Sequence, residues 1–216
     1  LTETLEEQFK QFFSIKNSSV IYNPSPKSKI ITKIFKDENL NILYVGNINE
    51  RKGIYNLISA FAEISINNKI RLKILGNGEV FKAKELAKKL KVEHLIEFIG
   101  WVDGKEKENH YLGAQIFCLP SYTEGLPMSI LEAASYGLSI ISSNVGGITD
   151  IFKNKENALI INPQSIEELK SALELLIKDS SLRGRLSESA KKLSITKLNI
   201  DNIAKQVDNL YNKLIN

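Results

Sequence analysis

Two glutamates, Glu124 and Glu132, stand with seven residues between them in SYTEGLPMSILEAASYG, a stretch that holds no basic residue. An ionised carboxylate only accepts hydrogen bonds, so two of them on one turn and helix suit a ligand rich in hydroxyl donors. Pro127 fits the first turn of that helix and Gly125 frees the backbone ahead of it. Glu124 then precedes a helix N-terminus, where a carboxylate is favourable by about 0.3–1 kcal/mol in any case. A simple capping anion would explain Glu124. It would not explain Glu132, in the second turn of an otherwise uncharged helix.

A cationic pair, Arg51 and Lys52, occurs in GNINERKG, again just ahead of a helical pattern. Helix-start N–H groups and two cations suit an anion; a solvated basic turn is the alternative. The loop GNGEV places Gly76 and Gly78 around Asn77, which permits close approach of a ligand to the backbone but is also a common turn. GWVDG carries the one tryptophan, Trp101, between Gly100 and Val102. That ring either borders a flat base or anchors a strand end in the core. Neither the G-x-G-x-x-G fingerprint nor a Gly-Lys-Ser/Thr phosphate loop is present.

These loops have to be positioned by the elements that flank them. Apolar runs at 41–46, 70–76, 95–100, 116–120, 138–143 and 157–162 predict six strands. Helical patterns alternate with them. Ile54, Leu57, Ile58 and Phe61 form one stripe; the lysine-rich KAKELAKKLK turns Leu86 and Leu90 inward; further helices fall at 103–113, 127–136 and 147–152. Ser165 and Glu168 predict a capping box for a helix burying Leu169, Ala172, Leu173 and Leu176. Two more helices, at 180–193 and 200–214, follow. The pattern predicts an α/β fold: a Rossmann-like open, mostly parallel six-stranded sheet with helices on both faces. Ligands bind such sheets outside the carboxyl ends of the strands, where the strand order reverses, which directs attention to the loops after Gly46, Gly76, Gly100 and Pro120.

Residues 1–24 do not follow this alternation. Thr4 and Glu7 predict a capping box, and Leu5, Phe9, Phe12 and Phe13 form a stripe that needs cover. The Asn-Pro and Ser-Pro steps of VIYNPSPKSK predict a linker. Residues 1–24 are therefore expected to trail from an N-terminal domain, with 25–216 as the ligand-binding domain and the helix at 200–214 returning toward that other domain.

Composition narrows the function classes. With 43% hydrophobic and 25% charged residues, the chain has the make-up of a globular domain, and no apolar run reaches the roughly 20 residues of a membrane helix. Residues 51–110 hold 12 Lys/Arg against 8 Asp/Glu, yet the excess lies on a lysine-rich helix without interleaved arginines or aromatics. That reads as a solvated face, not a nucleic-acid surface. One cysteine, Cys118, allows no internal disulfide and suits a reducing, cytoplasmic setting. Together with His94 and His110 it forms no metal-ligand cluster, so no metal is expected.

The succession VGNINERKG, ILGNG, EFIGWV, LPSYTEGLPMSILEAASYG and NVGGITDIF resembles the donor-binding half of retaining glycosyltransferases of the GT-B fold, group 1 (family 4) type. The resemblance covers about residues 20–216, and its most specific element is the spacing of Glu124 and Glu132. It implies that Glu124 holds hydroxyls of the transferred sugar and Glu132 the ribose of a UDP- or GDP-linked donor. It implies that Lys52, with an arginine, holds the diphosphate. The Gly46–Asn47, Gly76–Asn77 and Gly100–Trp101–Val102 loops and the turn Gly125–Leu126–Pro127–Met128 would complete the donor site, the loop at Trp101 meeting the base largely through its backbone. Arg51, Lys52 and Glu124 are the residues expected to act in transfer. The family's arginine after the first strand falls on Asn47, which leaves Arg51 to supply that cation.

The resemblance further implies front-face transfer without a covalent glycosyl-enzyme, and without a metal or other cofactor. The acceptor would be a surface-glycan or glycolipid precursor, held mostly by an N-terminal domain, in a cytoplasmic protein open to peripheral contact with the membrane. Two other readings compete. Paired carboxylates also hydrolyse glycosidic bonds, but that chemistry leaves Arg51 and Lys52 without a use. A non-catalytic nucleotide-sugar-binding module or partner subunit is the other, kept open by Asn47.

Overall fold

A computed structural model describes residues 2–13, 15, 17–26, 39–66 and 68–215. Six strands, β1 (Leu40–Val45), β2 (Ile70–Leu75), β3 (Ile96–Gly100), β4 (Ile116–Leu119), β5 (Ser139–Ser143) and β6 (Leu159–Ile161), form one sheet in the order β3-β2-β1-β4-β5-β6. Every pairing is parallel. A parallel sheet is covered on both faces, so its strands read as continuous apolar runs. Accordingly Ile42, Leu43, Tyr44, Ile116, Phe117 and Cys118 are all wholly buried. The strand order reverses between β1 and β4, joined through Ile42–Ile116 and Leu43–Phe117. The carboxyl ends of these two strands therefore flank the crevice expected to take a ligand.

The helices are α1 (Glu3–Phe12), α2 (Ile54–Ser65), α3 (Val80–Lys89), α4 (Gly104–Leu112), α5 (Met128–Ser135), α6 (Ile148–Ile151), α7 (Ile166–Lys178), α8 (Ser180–Thr196) and α9 (Ile200–Ile215). The predicted stripes of α2 and α7 are buried. α3 differs from expectation: Ala83 and Ala87 are its buried residues, Leu86 is half-buried and Leu90 is exposed. Small residues let the helix approach closely; Leu86 still packs partly against the core, while Leu90 falls at the rim. The Ser165 cap is half of the predicted box. The Ser165 hydroxyl accepts from the Glu168 N–H, but the Glu168 carboxylate accepts from the backbone N–H and side-chain amide of Asn162 instead.

At the start of the chain the cap is Thr2, not Thr4: the Thr2 hydroxyl accepts from the Leu5 N–H. Thr4 serves a distant partner, donating its N–H and hydroxyl to the two carboxylate oxygens of Asp150 in α6, at 2.9 and 2.6 Å. Phe9, Phe12 and Phe13 of the predicted stripe are exposed, and Phe9 stacks on Phe13. The predicted linker reaches residues 27–29, which lie outside the described residues. Among the described residues no helix is long and apolar enough to cross a membrane.

Candidate functional site

Three loops at the carboxyl edge are stitched together by their own backbones. The Tyr44 hydroxyl donates to the Asn47 carbonyl at 2.7 Å, which turns the chain at the end of β1. The Ile48 N–H donates to the Asn77 carbonyl and the Glu79 N–H to the Ile48 carbonyl, both at 2.7 Å. The Gly76 N–H donates to the Gly100 carbonyl at 2.7 Å. Gly76 has φ +138°, and a Cβ there would lie 1.9 Å from the Gly46 carbonyl oxygen, so the approach of these loops requires glycine. They enclose a cavity of ≈ 330 Å³ lined by Gly46, Asn47, Gly76, Asn77, Trp101, Val102 and Lys107, with Val45 and Leu75 at its floor. Trp101 lines it and is 66% exposed, so it does not anchor a strand end in the core.

The loop after β1 continues into a 3-10 turn, Glu50–Lys52, capped where the Asn49 side chain accepts the Lys52 N–H. Gly53, at φ +70°, lies against the Pro120 carbonyl at the end of β4, and the Tyr122 N–H donates to the Arg51 carbonyl at 2.8 Å. This seam brings Lys52 to Glu124: Nζ to Oε1 is 2.6 Å, with the two side chains 16% and 7% exposed. The Arg51 side chain is exposed and forms no ion pair among the described residues. The Tyr44 hydroxyl, which faces Asn47, is pushed up in pKa first by burial and then by the Glu124 carboxylate.

Pro127 is the N-cap of α5, one position earlier than expected, so Met128 opens the helix. Proline at the cap removes the outermost donor, while the Met128 and Ser129 N–H groups have no protein acceptor among the described residues. Leu126 is buried and Met128 exposed. Glu132, one turn on, accepts from Lys107 of α4 at 2.8 Å (Oε1) and 2.7 Å (Oε2), and from the Tyr111 hydroxyl at 2.7 Å. Tyr111 is buried, stacked on Tyr136 at 5.2 Å. Burial, and after it the Glu132 carboxylate, holds the Tyr111 hydroxyl well above its ordinary pKa, so it stays a donor.

The two glutamates, which have no basic neighbour in sequence, thus each have a lysine in space. Sequence reasoning missed Lys107 and Tyr111, and also Gly146, whose φ of +53° lets its Cα sit against the Glu124 carbonyl. Lys107 sits in the alternating charges of KEKENH, where nothing distinguishes it from a solvated lysine. Tyr111 reads as an ordinary core aromatic.

A six-stranded parallel sheet with glycine-hinged loops at its switch point is a Rossmann-like α/β domain, and the fold is that of the GT-B glycosyltransferases. The chain belongs to the family of group 1 glycosyl transferases, whose model matches residues 26–193. It is 33% identical over 200 residues to an uncharacterised glycosyltransferase of Haemophilus influenzae, covering 90% of this chain and 55% of the relative. Sucrose-phosphate synthase from Thermosynechococcus elongatus superposes with a TM-score of 0.89 at 22% identity, over 99% of this chain and 57% of that one. Anabaena HepE, solved in complex with UDP-glucose, superposes with a TM-score of 0.75 at 17% identity, over 82% of this chain and 49% of that one. The chain spans about half the length of the curated relatives it matches.

Proposed function

We propose that this domain binds a nucleotide-diphosphate sugar, UDP- or GDP-linked, as the donor half of a retaining glycosyltransferase. The observation that carries the reading is that the loops after β1 and β4, on either side of the switch, join in the Lys52–Glu124 pair at the same carboxyl edge of the sheet that holds a cavity lined by the Gly46, Gly76 and Gly100 loops. In that reading the base lies along the Gly100–Val102 loop and Glu132 takes the ribose hydroxyls. The diphosphate spans toward Lys52, Arg51 and the free N–H groups of Met128 and Ser129. Glu124 takes hydroxyls of the transferred sugar.

The ion pair gives this assignment a mechanism. Without donor, Lys52 and Glu124 satisfy each other. With donor, the ammonium exchanges a carboxylate for phosphate oxygens, and the carboxylate exchanges an ammonium for sugar hydroxyls. As the glycosidic C–O bond breaks, negative charge grows on the leaving diphosphate, where fixed cations and N–H groups stabilise it without reorganising. The acceptor hydroxyl attacks from the same face, with no covalent glycosyl-enzyme and no metal in the reaction. The acceptor is a surface-glycan or glycolipid precursor, held by another domain to which residues 1–24 and α9 are adjacent. The setting is the cytoplasm, at the inner face of the membrane. HepE, which shares the fold, binds UDP-glucose according to its own structure, and this supports the class of donor.

Positioning of the acceptor supplies a large share of such catalysis, so this chain alone is expected to bind donor without transferring sugar. The test is calorimetric titration of the chain with UDP, GDP and their sugar conjugates, beside transfer of labelled sugar to an acceptor extract by a full-length enzyme. Donor binding here with turnover there is the expected result. Binding with no turnover in the full-length protein would favour a non-catalytic module, and no binding of any nucleotide would overturn the reading.

A further inference from the structure

Glu132 is assigned to the ribose, yet it is not among the residues lining the cavity; Lys107, its ion-pair partner, is. The chemistry of a vicinal diol bears on that difference. Each ribose hydroxyl has one hydrogen to donate and lone pairs to accept with, whereas a carboxylate only accepts and an ammonium only donates. Glu132 alone serves half of what a diol presents. Lys107 spreads its ammonium over both Glu132 oxygens, at 2.8 and 2.7 Å, and an ammonium has three N–H donors, so it keeps donor capacity for the cavity it lines. On Oε2 the Tyr111 hydroxyl supplies a further fixed donor, held by its stack on Tyr136. Lys107 and Glu132 thus form an adjacent donor and acceptor, backed by the buried Tyr111, and Lys107 lines the cavity together with Trp101.

We propose that Lys107 is a specificity-determining residue of the donor site, the donor half of a Lys107–Glu132 dyad that reads the ribose diol of a nucleoside diphosphate. The proposal rests on the reading that the cavity takes a nucleotide. It separates two roles that an ion pair can have. If Lys107 only lends positive charge to a site for an anionic ligand, its loss weakens every nucleotide alike. If it reads the diol, its loss weakens only nucleotides that carry one.

The experiment compares UDP with 2′,3′-dideoxy-UDP, and GDP with its dideoxy counterpart, by calorimetry on the 216-residue chain and its Lys107→Met and Lys107→Arg variants. The wild type should prefer the ribonucleotide by about tenfold or more, the effect of a hydrogen bond to a charged group. Lys107→Met should lose most of that preference by weakening the ribonucleotide, with the dideoxy ligand little changed. Lys107→Arg, which keeps the charge and the donors, should retain it. Equal weakening of both ligands in Lys107→Met, or an unchanged preference, overturns the dyad while leaving nucleotide binding intact. Failure of the wild type to bind either nucleotide overturns the functional reading itself, and the dyad with it.

Discussion

The two lysine–glutamate pairs of the site are built in opposite ways. Glu124 sits on a loop, nearly sealed, with Lys52 as its partner at 2.6 Å. The backbone of the Gly146–Gly147 turn fixes that loop: Gly146 lies against the Glu124 carbonyl, and the Gly147 N–H donates to the Gly125 carbonyl at 2.8 Å. Glu132 sits on a helix, more open to solvent, and side chains hold it: Lys107 and Tyr111. The first pair depends on backbone geometry and, in the proposed reading, is exchanged for ligand. The second is a preformed cluster whose acceptor and donors are already in place. On the proposed assignment, that contrast implies that sugar recognition by Glu124 is sensitive to its loop neighbours, while nucleotide recognition by Glu132 is not.

The largest break in that comparison comes from Gly146→Ala. Its left-handed φ and a Cβ placed 1.9 Å from the Glu124 carbonyl oxygen leave backbone facing backbone, with no side chain able to give way. A loss of about 3 kcal/mol or more in stability follows from such strain. Where the variant still folds, nucleotide-sugar binding should fall to the level of the free nucleotide, as read by calorimetry beside thermal unfolding.

Next in size is the removal of each lysine. Lys52→Ala leaves Glu124 charged and nearly sealed, which costs about 3 kcal/mol by the measure of broken buried pairs. Lys107→Met strands a part-buried glutamate that keeps the Tyr111 hydroxyl and partial hydration, and costs less, about 1–2 kcal/mol, between the values for exposed and buried pairs. Denaturant unfolding of the two variants should rank them in that order. Equal losses would erase the contrast between a sealed and an open pair.

How much of this was legible in the sequence follows from what each feature depends on. All six strands could be read because a parallel sheet demands unbroken apolar runs, and the α2 and α7 stripes because burial repeats at the helical period. The loops after Gly46, Gly76, Gly100 and Pro120 were legible from the same alternation. Lys107 was not, because a lysine that reaches across from α4 to α5 looks in sequence like one pointing to water. The Thr4–Asp150 bond was not, because a contact across 146 positions leaves no local mark, and the local Thr2 cap was hidden by the competing Thr4/Glu7 pattern two residues on. Leu86 packs partly against the core as expected, whereas Leu90 does not, because closeness of approach through Ala83 and Ala87, and not apolar size, decides the inner face of α3.

The smallest effect concerns pH. Burial, and then the positive charge of Lys73, hold His110 below its ordinary pKa, with Glu97 and Glu106 opposing. The native state therefore prefers the neutral imidazole, and the unfolded chain takes up the proton first as pH falls below about 6.5. This contribution is fully present above that value and is lost as pH falls toward the depressed native pKa. His110 shares α4 with Lys107 and Tyr111, so mild acid should loosen the Glu132 side before the Glu124 side. Urea unfolding of the wild type and of His110→Asn between pH 7.5 and about 5.5 should show a decline in the first that is shallower in the second.

The central claim is that Glu132 meets the nucleoside and Glu124 the sugar. Calorimetric titration of Glu124→Ala and Glu132→Ala with the free nucleotide and with the nucleotide sugar tests it most directly. Glu132→Ala should weaken both ligands by about 1.5–3 kcal/mol, the range for a hydrogen bond to a charged group, whereas Glu124→Ala should weaken only the sugar-bearing one. Equal losses for both ligands in both variants would contradict the account.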